Sequence, residues 1–200
     1  MKLYATPTSH FARKVRLLLD HYAVEHEFID LGNVAEFTED KYAGNPLMVV
    51  PVLEDDGVSV LDSDHIAAYL VRKLDPSDRY NVLTTDVRTL NARAVLNGMM
   101  ISETKLILGA RTGLDTRNQP YFDKARAVFA KGFDWLEANL DLFSADSPTY
   151  LDFHLVCSLE HMDRYDLARP HQPGLKALMQ TLTADGTIAK SAPPTPPVYA

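Results

Sequence analysis

With 200 residues, the chain has room for one or two domains with cores of their own. A net charge of -7 argues against a nucleic-acid binder, whose affinity needs basic surface. A single cysteine, Cys157, excludes an internal disulfide framework and a CxxC redox motif. No stretch approaches the ~20 apolar residues of a membrane helix, and the first residues lack the pattern of a signal peptide. A cytoplasmic address is the default expectation, with no membrane and no nucleic acid among the partners.

In chain order, residues 2–5 open a short strand, and Thr6-Pro7-Thr8-Ser9 is a turn. From His10 the spacing is helical. Phe11, Val15, Leu18 and Tyr22 form an apolar face, and Arg13, Lys14, Arg16 and Asp20 fall largely off it. Residues 26–31 read as a second strand, parallel to the first. Residues 33–42 are polar and predict a short irregular helix ended by Gly44. Pro51 interrupts the apolar run 47–53, so that run is no central strand. Val52-Leu53, a turn at residues 54–57, and Val58, Val60 and Leu61 predict a hairpin. Ile66, Ala67, Leu70, Val71 and Leu74 then recur at helical spacing, with Ser63 as the expected N-cap.

Residues 75–78 break that pattern, and beyond them the periodicity is helical throughout. A long helix runs to about residue 110, with Gly98 expected at a close helix approach or a kink. Phe122, Ala125, Phe129, Phe133, Leu136 and Leu140 give one sustained apolar face. Thr149 and Asp152 predict a capping box opening the next helix, and residues 174–182 predict a last one. The tail 191–200 is proline-rich and reads as extended. The expected organisation is an α+β domain over 1–76, a linker over 77–86 and an all-helical domain over 87–200.

Three linked features carry a family resemblance: Asn45-Pro46, Val50-Pro51 and Asp62-Ser63, together with the opening KLYATPTSHFARKVRLLLD. In this order the chain resembles the cytosolic glutathione S-transferases of the bacterial, serine-type kind. The resemblance implies a thioredoxin-like domain (βαβ-α-ββα) followed by an all-α domain, with Pro51 in the cis form. It implies glutathione as cosubstrate, a small electrophile as second substrate, a homodimer and no metal. Ser9 falls where the family holds the hydroxyl or thiol that contacts the glutathione sulfur. Val50 and Pro51 would present backbone to the cysteinyl part of glutathione. Asp62 and Ser63 would hold the γ-glutamyl end. His10, Met99, Met100 and Glu103 are candidates for a second-substrate pocket, although core packing explains the methionines equally well.

The chemistry has a simple requirement. A thiolate is the nucleophile, and a free thiol titrates near 8.5. Moving it two pH units lower takes about 2.7 kcal/mol of differential stabilisation. A charge-assisted hydrogen bond and a helix N-terminus supply that order. Read alone, Ser9 is an N-cap before it is anything else. Taken with the whole pattern, the sulfur-contact role is preferred, with Thr6 and Thr8 as rivals and Tyr4 as core. Asp62-Ser63 likewise reads as helix capping when taken alone.

The chain also departs from the family pattern. Many bacterial relatives carry Gly-Lys before Val-Pro, where this chain has Met48-Val49, so one cationic contact is replaced. Arg13 is the candidate substitute. His10 stands where a proline is usual, and a partly exposed first-turn histidine is expected. Glutathione-dependent peroxide or disulfide reduction, or a non-catalytic protein-binding domain of the same fold, are the alternatives.

Other constellations fail on spacing. His154 and His161 lie two helical turns apart, ~10.5 Å along the axis, too far for one metal ion. There is no GxGxxG, Walker loop or GxSxG. Cys157, among Leu155, Val156 and Leu159, reads as buried packing.

Overall fold

A computed structural model of the chain describes residues 1–36 and 39–194. It separates into two compact units. Met1–Leu83 and the segment beginning at Gly186 form one, and Thr84–Asp185 forms the other.

The first unit is built on a four-stranded sheet in the order β2-β1-β3-β4. Its strands are β1 (Lys2–Ala5), β2 (Glu27–Asp30), β3 (Val52–Asp55) and β4 (Val58–Leu61). β1 runs parallel to β2, with Leu3 opposite Phe28, and antiparallel to β3, with Leu3 opposite Leu53. β3 and β4 form the expected hairpin around Asp56-Gly57, both at positive φ. Alternation decides the faces: Leu3 and Ala5 are fully buried while Tyr4 between them is half-exposed. Helices α1 (His10–His21) and α2 (Ser63–Leu74) pack together, and α2 also packs against β3 and β4. This is the thioredoxin-like arrangement.

α1 corrects one sequence expectation. Arg13 and Lys14, expected off the apolar face, are 1% and 0% exposed. α1 is covered on more than its sheet side, because α7 (Gly186–Lys190) returns to pack on it. The buried guanidinium of Arg13 is held there: Nε donates to Ser191 Oγ at 3.0 Å and Nη2 to the Ile188 carbonyl at 3.2 Å. A cation at the last turn of a helix satisfies carbonyls that have no intrahelical partner. Arg13 is thus committed to α7, which removes it as the substitute for the missing lysine.

Within 33–42 the regular element is a single 3-10 turn at Glu39–Lys41; Phe37 and Thr38 lie outside the described residues. The same holds for most of the proline-rich tail, from residue 195 onward.

The second unit is helical: α3 (Val87–Arg111), α4 (Asp123–Glu137), α5 (Tyr150–Arg164) and α6 (Pro173–Ala184). α3 packs against both α4 and α5. The close approach is made by Gly132 on α4, not by Gly98: a Cβ on Gly132 would stand 2.4 Å from Met99 Sδ, while Gly98 faces open space. α4 ends at Glu137, and Leu140 belongs to a separate 3-10 turn. The capping box forms as expected. The Thr149 amide and hydroxyl both donate to Asp152 Oδ2 at 2.8 Å, and the Ser144 amide to Oδ1 at 2.9 Å. α6 is opened by Pro173, and its first amides are taken by the Glu137 carboxylate, from Gly174 at 2.9 Å and Leu175 at 2.7 Å. No described helix is long and apolar enough to cross a membrane.

Candidate functional site

Three loops of the first unit hold the sequence-predicted residues. The first follows β1. The Ser9 amide donates to the Thr6 carbonyl at 3.1 Å and closes the turn. Ser9 is extended (φ -67°, ψ 117°), and its Oγ accepts from the Ala12 amide at 3.2 Å as the N-cap of α1. That contact uses a lone pair and leaves the O–H to donate. Among the described residues nothing accepts it. Cap and sulfur donor are therefore compatible on one hydroxyl. His10 is buried at 5% exposure, with its ring 4.6 Å from that of Phe11, so the expected partly exposed histidine is corrected.

The second loop leads into β3. Asn45, 3% exposed, is its scaffold: Oδ1 accepts from the Leu47 amide at 3.0 Å and Nδ2 donates to the Val49 carbonyl at 2.9 Å. The Met48 amide closes onto the Asn45 carbonyl at 3.1 Å. A side chain with both a donor and an acceptor is required to clamp both ends, which is the physical content of the Asn-Pro signature. The Val50–Pro51 bond is cis. Among the described residues, neither the amide nor the carbonyl of Val50 takes a hydrogen bond. A half-buried residue then offers one donor and one acceptor to an added chain.

The third loop is the start of α2. The N-cap is Asp62 and not Ser63, a shift of one residue from expectation. Asp62 sits at φ 70°, ψ 135°, and its Oδ1 accepts from the amides of Asp64 at 2.9 Å and His65 at 3.2 Å. A non-glycine residue in this region is uncommon and costs about 1–3 kcal/mol. Ser63 is consequently the first helical residue, 2% exposed, with its amide in the positive end of the helix.

An ion pair links the first and third loops. Lys14, with no exposed surface, places Nζ 3.0 Å from Asp64 Oδ1, one residue past Ser63. Burying a lysine is unfavourable without such a partner. The pair therefore fixes the first turn of α2 against α1. Nothing in the residue pattern signals it, since a charge off the apolar stripe reads as solvated.

Residues 3–77 match the model described as glutathione S-transferase, N-terminal domain. The sequence has no match among curated proteins. Over the whole chain the fold is similar to several solved structures. One is a glutathione S-transferase from Methylobacterium radiotolerans in complex with glutathione sulfonate (20% identity, 100% of this chain and 97% of that one, TM-score 0.80). Another is a maleyl pyruvate isomerase described as a bacterial zeta-class glutathione S-transferase (20%, 100% of both chains, 0.75). A third is a glutathione transferase family member from Pseudomonas fluorescens with bound glutathione (21%, 96% and 98%, 0.79).

Three predicted residues of the helical unit lie in its interior. Met99, Met100 and Glu103 are all 0% exposed. Met99 packs on Gly132, and Met100 Sδ lies 3.1 Å from His154 Nε2. Glu103 accepts from Ser158 Oγ at 3.0 Å and places Oε2 2.6 Å from His161 Nδ1. Burial raises the Glu103 carboxyl well above its ordinary range, against the opposing pull of Ser158. These side chains are buried in the described structure. Cys157 is likewise fully buried.

Proposed function

We propose that the chain is a serine-type glutathione transferase. Ser9 donates its O–H to the glutathione sulfur and favours the thiolate. The thiolate forms a C–S bond to a small electrophile, whose leaving group departs with its bonding pair (chloride from a chlorodinitrobenzene), and the thiol proton leaves to solvent. Val50 pairs through its backbone with the cysteinyl unit. Ser63 receives the γ-glutamyl carboxylate at the start of α2, and Asp62 attracts the ammonium. Glutathione is the cosubstrate, and the functional form is a homodimer.

The observation that carries this reading is the state of the Ser9 hydroxyl: capped as an acceptor, and with no described acceptor for its proton. The Val50 donor and acceptor, and the glutathione bound in similar solved structures, support it. Val49, 52% exposed where many relatives carry lysine, supplies no charge, so glutathione binding is weaker than in those relatives.

The test is a glutathione titration followed by thiolate absorbance, with conjugation of a chlorodinitrobenzene measured alongside. Ser9→Ala should abolish the thiolate signal and lower kcat/KM about 10–100-fold, the worth of a hydrogen bond to a charged group. An unchanged signal and rate would remove Ser9 from the mechanism. Failure of the wild-type chain to bind glutathione would leave the fold as a protein-binding domain. Turnover of peroxides or disulfides in place of the electrophile would make it a glutathione-dependent peroxidase or reductase.

A further inference from the structure

If Val50 pairs antiparallel with the cysteinyl unit, as the proposed function has it, the other end of glutathione is placed as well. In an antiparallel pair the ligand's next residue lies opposite the preceding residue of the chain, so the glycyl unit stands opposite Val49. With Val50 exchanging both hydrogen bonds, that neighbour is a non-hydrogen-bonded position, where Cα atoms approach to about 4.5 Å and the backbone is asked for nothing. Val49 fits it, because its carbonyl is already taken by Asn45 Nδ2 at 2.9 Å. The terminal carboxylate of glutathione therefore comes to lie beside Leu47, Met48 and Val49.

Those three residues are a poor place for an anion. Leu47 is 70% exposed and Val49 52%, and Met48 between them sits at φ 50°. Asn45 imposes this exposure: it clamps the Leu47 amide at one end and the Val49 carbonyl at the other, and so holds the turn with Leu47 and Val49 outward. From residue 42 to residue 71 the chain has no lysine or arginine. Lys41, the cation just before that stretch, donates from Nζ to the Asn33 carbonyl at 2.6 Å, and Arg13 is committed to α7. A carboxylate set against apolar surface gives up water without gaining a counter-charge. An uncharged end covers the same surface at a gain.

We propose that the site prefers a γ-glutamyl-cysteinyl thiol whose C-terminal carboxyl is blocked, as an amide or an alkyl ester, over glutathione itself, and that Val49 sets the preference; this deepens the glutathione reading and rests on it. The γ-glutamyl end is the same in all these ligands, so Asp62 and Ser63 meet it unchanged. The sulfur chemistry at Ser9 is also the same, and the discrimination lies in the end of the ligand that the turn at 47–49 faces.

The experiment is calorimetric titration of the full chain, at one ionic strength, with glutathione, its C-terminal amide and its glycyl monoethyl ester. The ester should bind about fivefold more tightly than glutathione, with the amide between them. Val49→Lys should bring glutathione level with the ester or ahead of it. Val58→Lys makes the same change in net charge at an exposed position at the far end of the hairpin, opposite Asp55. It should leave the ratio within about twofold of the wild type, because exposed charges at that distance are screened. Both substitutions are at exposed sites, so melting temperatures should hold. Glutathione binding as tightly as the ester, or equal shifts in the two lysine variants, would overturn the proposal. If none of the three ligands binds the wild-type chain, the glutathione reading falls and the preference with it. If all three bind alike, that reading stands and the preference alone falls.

Discussion

The two units bury polar groups in opposite ways. In the first, buried charged groups pair between elements. Lys14 of α1 meets Asp64 of α2. Asp55 of β3 is held by Lys73 and accepts from Tyr69 Oη at 2.7 Å, and both contacts lower its carboxyl. In the second, buried carboxyls are raised by desolvation. Glu103 sits among Ser158 and His161, and Asp152 spends its oxygens on three donors of its own cap. Ion pairs between elements hold loops in register, and the first unit is where loops carry the candidate site. Hydrogen-bonded carboxyls raised by desolvation suit an interior whose helices pack continuously.

The sharpest break in that contrast is Asp64→Ala. It takes from Lys14 the carboxylate that compensates its burial, and we expect a loss of about 3 kcal/mol, the lower end for breaking a buried pair. Denaturant unfolding measures it. Lys14→Met should cost less, because the remaining Asp64 is partly exposed and can be hydrated. Equal small losses would mean that the pair is no more than a surface bridge.

The helical unit depends on packing at the corresponding point. Gly132→Ala forces Met99 aside and should cost about 1–3 kcal/mol. Gly98→Ala meets open space inside a helix and should stabilise by about 0.5–1 kcal/mol. Both follow from melting or denaturation curves. Opposite signs locate the close helix contact at Gly132, and a destabilising Gly98→Ala would return it to α3.

This pair also shows what the sequence made legible. The strand at 2–5, the hairpin and the α4 stripe were readable because pattern and local chemistry agreed there, although Tyr4, expected as core, is half-exposed and the turn is narrower than residues 54–57 because Glu54 and Asp55 belong to β3. Gly98 and Gly132 look alike in sequence, since a glycine's neighbour across a helix interface has no local signature. Arg13 and Lys14 misled for the complementary reason. Periodicity assigns charge to solvent, and only the return of α7 and the placement of Asp64 cover them. The site motifs were legible as spacing, but the cap fell one residue away because a residue at φ 70° was not anticipated ahead of the helix.

Titration separates the units more finely. A carboxyl raised in the folded state binds more protons folded than unfolded. Glu103 therefore contributes stability that is present at low pH and declines as pH rises from the ordinary carboxylate value through its raised one. Asp55 is lowered, so its contribution is present above the unfolded value and is lost as pH falls through the folded one. Glu103→Gln should flatten the decline in melting temperature as pH rises above the ordinary carboxylate value. Asp55→Asn should flatten the acid side. If Glu103→Gln leaves that slope intact, the interior of the second unit holds its carboxyl ionised and the contrast fails.

The smallest stability effect should come from Asp62, where the two demands on the first unit meet. Its backbone sits where glycine is at ease, yet the chain places a carboxylate there. Asp62→Gly relieves the backbone and loses the cap, and a glycine cap costs only a few tenths of a kcal/mol. No loss of stability is expected, because relief of the backbone outweighs the lost cap. Glutathione affinity should fall about tenfold, roughly 1.4 kcal/mol, if the carboxylate attracts the γ-glutamyl ammonium. Asp62→Asn keeps a capping oxygen and removes the charge, so it should bind as weakly as Asp62→Gly. Calorimetric titration reads both variants. Weak binding in both, with melting temperatures near the wild type, would mean that the strained aspartate is kept for its ligand. Full affinity in Asp62→Asn would make it a cap alone, and the γ-glutamyl end would then rest on Ser63 and the α2 amides.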